Sequence, residues 1–185
     1  MRLVLLFIVA VITAVNLNAY SYAAAGKEPT IDSKEAILKA VNANDFKSAQ
    51  AVFIKYEKNY QYLSDEFNSK LYGGLKSAID NKDKKNVVKW LNTSIAAEIQ
   101  RRLDGGLKNI KQFNIAKVML AKANKFFKIL SPSLEKTTNE KLSEAIKNCV
   151  QFIGNPGLFG VGAKPAKPEE YKINQEIAVK ILKSI

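Results

Sequence analysis

Histidine is absent from all 185 residues, and that gap removes a large share of enzymatic chemistry. Ser-His-Asp and Cys-His nucleophiles, histidine-ligated zinc, haem attached through C-x-x-C-H and blue copper all need an imidazole. Cysteine is nearly absent as well. Cys149 stands alone, so no disulfide can form within the chain and packing has to hold the fold. Acid/base work by carboxylates, tyrosines or lysines survives these absences, as does a metal site of oxygen ligands. The acids do not organise for either: Glu140 and Glu144 share a helix face but stand among Lys136, Lys141 and Lys147, and no Glu-x-x-His element exists. The chain reads as a non-enzyme without cofactor or metal.

Long apolar runs are also scarce. The one that stands out, Leu3 to Val15, is short of the roughly 20 residues a membrane-crossing helix needs. Arg2 precedes it, and Ser21-Tyr22-Ala23 and Ala23-Ala24-Ala25 follow with the small residues a signal peptidase reads. Residues 1–25 are therefore expected to be a signal peptide, and the chain an exported one, periplasmic or extracellular. No cysteine lies near either cleavage position, which argues against a lipid-modified N-terminus.

Negative charge is scarce in one half only. Residues 26–100 carry 12 Lys and 10 acids, whereas residues 101–185 carry 16 Lys or Arg and 7 acids, so most of the formal charge of +12 lies in the second half. Between Arg101 and Lys128, eight basic residues face one acid, Asp104: Arg101, Arg102, Lys108, Lys111, Lys117, Lys122, Lys125 and Lys128. Such a field attracts anionic surfaces and polymers. These eight are the expected partner-binding residues, for an acidic protein, an envelope polymer or a phospholipid headgroup, with nucleic acid possible but not favoured. A lysine-rich composition alone is the plainer account of the charge.

What is present is helical periodicity. Asp32-Ser33-Lys34-Glu35 has the form of a capping box with Asp32 as N-cap, opening a helix through Ile37, Leu38 and Val41 that Asn42 to Asp45 ends. Phe46, Ala49, Phe53, Tyr56 and Tyr60 predict a second helix, and Ser64-Asp65-Glu66 the start of a third through Leu71, Leu75 and Ile79. A fourth runs from about Asn86 through Trp90 and Ile99 to Leu103 or Ile110. From Asn114 to Leu130 one side is apolar and the other carries Lys117, Lys122, Lys125 and Lys128, until Pro132. Leu142, Ala145, Ile146 and Cys149 mark a sixth helix, on whose apolar stripe Cys149 is expected to be an inert buried thiol. Ile173, Ile177, Val179, Ile181 and Leu182 suggest a short terminal helix. No run alternates with period two, so the expected fold is all-α, a bundle or stack of six to seven helices. The expected division is a helical domain at 26–153, a Gly/Pro-rich connection at 154–168 and an amphipathic helix at 169–185.

A gapless offset of 67 aligns Phe46 with Phe113, Ala49 with Ala116, Tyr60 with Phe127, Leu75 with Leu142, Ala78 with Ala145 and Ile79 with Ile146. Two three-helix units stacked on each other would explain it. Two glycine pairs, Gly73-Gly74 and Gly105-Gly106, sit in matching contexts. Each glycine costs a helix about 1 kcal/mol, so the pairs imply close packing or a helix break, or else a ligand approaching beside Tyr72 and Asp104. That last reading makes a small-molecule or metal carrier the alternative function. The stretch from Gly154 to Gly162 lacks the strand and the Gly-Lys-Ser/Thr ending of a phosphate loop. Its Leu158, Phe159 and Val161 are expected to dock on the chain's own core in preference to a partner. Tyr56, Tyr60 and Tyr62 read as a core edge in preference to a ring-stacking surface. The expectation is an exported, non-enzymatic helical binding or adaptor protein.

Overall fold

The computed structural model describes residues 28–158 and 160–185; the signal peptide expected at residues 1–25 and Phe159 of the glycine loop lie outside them. Among the described residues eight α-helices follow in order: α1 (Pro29–Asn42), α2 (Phe46–Lys55), α3 (Glu57–Glu66), α4 (Leu71–Asp80), α5 (Lys84–Lys108), α6 (Phe113–Leu130), α7 (Lys136–Phe152) and α8 (Pro168–Leu182), with a 3-10 turn at Ser131–Ser133 after α6. The fold is all-α. Among the described residues the only β features are two isolated bridges, Asn155 with Lys164 and Leu158 with Val161.

Several boundaries depart from expectation. The first helix starts at Pro29, so Asp32 lies inside its first turn and is no cap; proline at the first helical position already supplies the right φ. The second helix divides at Tyr56, which lets Tyr60 stack on Phe53 at 5.5 Å and bond the Ser33 hydroxyl at 2.7 Å. Ser64 to Glu66 ends α3 and starts nothing. The Ser64 hydroxyl instead donates to the Asn68 carbonyl and accepts the Tyr72 N–H, bridging into α4. Two turns share one chemistry. Asn44 and Lys82 take left-handed φ of 59° and 56°, and the next residues, Asp45 and Asp83, reach back to the Ala40 and Ala78 carbonyls at 2.9 Å. Asp45 and Asp83 then cap α2 and α5 by accepting the Ser48 and Asn86 N–H groups.

Neither glycine pair breaks its helix: Gly73-Gly74 lies inside α4, and Gly105-Gly106 inside the last turns of α5. At 25 residues α5 is the spine, about 37 Å long. Its first half supplies Val87 and Leu91 to a core with Ile37, Phe53, Tyr60, Leu71 and Leu75. Its second half supplies Ile95, Ile99 and Leu103 to another with Leu120, Phe126, Leu142, Cys149 and Tyr171. The offset of 67 maps one core on the other. α2 and α6 begin at Phe46 and Phe113, and the matched pairs Ala49/Ala116, Tyr60/Phe127, Leu75/Leu142, Ala78/Ala145 and Ile79/Ile146 are all buried.

The C-terminal helix packs on α7 and α5 and includes Pro168, one residue earlier than expected. Its buried face is Tyr171, Ala178 and Leu182, whereas Ile173 and Ile177 are exposed. Leu158 and Val161 do not dock on the core. They are 75% and 79% exposed, held out by a hairpin whose Gly154 and Gly157 have positive φ and backbone pressed against them.

Candidate functional site: the lysine face of α6 and the charge network beneath it

The structure sorts the eight basic residues into two sets. Lys117, Lys125 and Lys128 lie on the solvent side of α6, because Ala116, Leu120, Ala123, Phe126, Phe127 and Leu130 claim the opposite side for the core. Lys117 sits over the Phe113 ring at 5.8 Å. Lys108 at the end of α5 and Lys111 in the following turn are exposed as well. No acid occurs between Gly105 and Leu134, so nothing on this stretch neutralises them.

Arg101, Arg102 and Lys122 do not belong to that face. They turn toward two carboxylates, Glu28 and Glu98, that are themselves buried. Arg102 donates to Glu28 at 3.1 Å and lies 3.7 Å from Glu98; Lys122 reaches Glu28 at 3.0 Å; Arg101 binds Glu98 at 2.8 Å. The Thr30 hydroxyl donates to Glu98 at 2.8 Å and accepts from Asn59 at 2.9 Å. Nearby, the Lys34 ammonium donates to Asn92 at 2.6 Å while burial lowers its pKa. The network thus fastens the start of α1 to α3, α5 and α6. Glu98 with Arg102, an ordinary helix pair by spacing, is buried and shared among four elements. Burial, then the neighbouring Arg101, lowers the Arg102 pKa, and its Nε finds no partner while its guanidinium lies 5.8 Å from the Phe126 ring. One signal for this role was in the sequence: beyond Arg2, these are the only arginines of a lysine-rich chain, and arginine suits a desolvated carboxylate.

Beside Gly74 and Gly106 the protein itself fills the space, whereas nothing lies within 4 Å of a Cβ on Gly73. An added Cβ on Gly74 would enter the Trp90 ring, and one on Gly106 would meet the Tyr171 hydroxyl. Tyr72 donates to Glu57 at 2.5 Å, and Asp104 accepts from Gln175 of α8. Burial raises the Asp104 pKa. Of the three tyrosines, Tyr60 is core, Tyr56 is partly buried, and Tyr62 is exposed between Arg101 at 5.6 Å and Phe67 at 6.2 Å. Among the described residues no three acids or cysteines gather as metal ligands, and no helix is long and apolar enough to cross a membrane.

Cys149 is buried as its position implied, and burial pushes its thiol up to about 12. Burial raises Tyr60 and Tyr171 too. All three hold their protons in the folded protein past the pH at which the unfolded chain releases them. Their stabilising contribution is therefore complete below the ordinary thiol pKa of about 8.5 and declines as pH rises above it. A urea midpoint falling steadily from pH 9 upward is expected. At pH 8 a disulfide reagent should leave Cys149 unmodified until the chain unfolds; rapid labelling of the folded protein would contradict its burial. No protein-family model, curated protein or solved structure matches the chain.

Proposed function

We propose that this is an exported, non-enzymatic helical binding or adaptor protein that meets an anionic partner through the lysine face of α6 and the adjoining α5–α6 turn. The partner class is an acidic protein, an envelope polymer or a lipid headgroup. The observation that carries the reading is the set Lys117, Lys125 and Lys128, exposed together on a helix whose other side is core, in a stretch without acids. Arg101, Arg102 and Lys122 support it indirectly, by fixing α6 against α5 and α1.

Reversing Lys117, Lys125 and Lys128 to Glu should weaken binding to polyglutamate or to anionic vesicles on the order of a hundredfold, taking about 1 kcal/mol per basic residue near an anionic surface. Salt should weaken the parent's binding steeply, since exposed charges are screened within about 8 Å at physiological ionic strength. Binding that ignores both salt and the triple reversal would refute the proposal. Lys122→Glu is the contrast: it sets a second carboxylate against Glu28, so its main effect should be on stability.

A further inference from the structure

We infer that the glycine hairpin following α7 is an insertion tip that enters the headgroup region of a bilayer carrying anionic lipids. The inference rests on the basic-face reading and names its partner. Leu158 and Val161 are the most exposed of the large apolar side chains among the described residues. They face each other across a bridge whose two N–H groups donate reciprocally at 3.1 and 3.0 Å, so both side chains project from the same end.

The hairpin's own hydrogen bonds fit a bilayer better than a protein partner. Asn155 and Lys164 exchange backbone bonds at 2.8 and 2.7 Å, the Gly157 N–H donates to the Asn155 side chain, and Ala163 donates to Gly160. These donors are already satisfied, which lowers the cost of leaving water and leaves few free for a partner that adds a strand. The base is tied down by the Lys167 N–H on the Phe152 carbonyl at 2.8 Å, so the tip is held away from the body.

The charge around it matches an anionic surface. Residues 154–167 contain no acid, and Lys164 and Lys111 flank an open apolar groove lined by Phe113, Ile153 and Pro156. Lys108 and Lys117 are exposed nearby in sequence on the elements that form the groove's other wall. Lysines spread over three elements around the groove, with Leu158 and Val161 at the tip of the hairpin that carries Lys164, combine cationic charge with a small apolar wedge. A bilayer satisfies that combination without shape complementarity, and two weak signals together give stable peripheral binding where either alone is marginal.

The test uses the chain from residue 26, without the expected signal segment whose apolar run would itself enter vesicles, and with Leu158→Cys carrying an environment-sensitive fluorophore, since Cys149 is buried and does not compete for the label. With vesicles of phosphatidylcholine and phosphatidylglycerol the fluorophore should report an apolar environment, and with phosphatidylcholine alone it should not. Leu158→Asp with Val161→Asp should weaken sedimentation with the anionic vesicles at least tenfold, while circular dichroism stays unchanged. Vesicle binding that leaves residue 158 in water and ignores the Asp pair overturns insertion but spares the basic face. No binding to anionic vesicles or to polyglutamate overturns both. Loss of an acidic protein partner on the Asp pair, without vesicle binding, reassigns the tip and overturns the proposal.

Discussion

Glu98→Ala should lower the unfolding free energy by about 3–5 kcal/mol in a urea titration, the usual cost of breaking a buried ion pair from one side. Glu98 is 1% exposed and accepts from Thr30 and Arg101 while lying 3.7 Å from Arg102. Without it Arg101, about a third exposed, can turn to water, but Arg102 keeps only Glu28, and the buried Thr30 hydroxyl loses its acceptor. A net stability of 5–15 kcal/mol makes such a loss a large fraction of the whole. Glu98→Gln keeps the volume and an acceptor for Thr30, so it should fall between parent and alanine. The surface pair Lys76–Asp80 is the control. Its side chains are 52% and 35% exposed, and Lys76→Ala should cost no more than about 0.5 kcal/mol. A Glu98→Ala loss no larger than that of Lys76→Ala would mean the network contributes nothing.

The same network marks the limit of what the residues disclose in order. α6 is legible because its apolar and basic positions divide at 3.6-residue spacing and Pro132 ends it. The repeat is legible because buried Ala, Leu and Ile recur at a constant offset, and packing preserves side-chain size even where charge changes. Glu28 is a different case. Its partners Arg102 and Lys122 lie 74 and 94 positions away, and a pairing set by tertiary approach leaves no periodic trace. Counting cations along the chain therefore overstated the free face by three. The hairpin misled for another reason: apolar side chains on a short loop usually pack locally, but left-handed glycines and reciprocal backbone bonds hold Leu158 and Val161 outward. Tyr171 escapes the periodicity because Ile173 and Ile177 suggest a different packed face, while the glycine pair that receives it signals close packing or a break without naming a partner.

Alanine at the four paired glycines should have unequal effects within each pair. Nothing lies within 4 Å of a Cβ on Gly73, so Gly73→Ala should stabilise by about 1 kcal/mol through helix propensity alone. Gly105→Ala meets Met119 Sδ at 3.3 Å, a flexible side chain that can yield, and its effect should be near neutral. Gly74→Ala strikes the Trp90 ring. Trp90 is only partly buried, so it can swing outward, and the shift should be visible in the emission of the protein's one tryptophan. Gly106→Ala has no such escape. Its methyl would meet Tyr171, which is fully buried and whose hydroxyl donates to the Leu103 carbonyl at 2.9 Å. Moving that ring disrupts the α5–α8 contact and the packing around Cys149, so a loss of about 1–3 kcal/mol is expected despite the gain in helix propensity. Tyr171→Phe removes the hydroxyl the methyl would strike, at a cost of about 1 kcal/mol for the hydrogen bond. Combined with Gly106→Ala it should be less damaging than the two losses added, because residues in contact do not act independently. Strict additivity, or a Gly106→Ala variant more stable than the parent, would show that Tyr171 is not what keeps this position glycine.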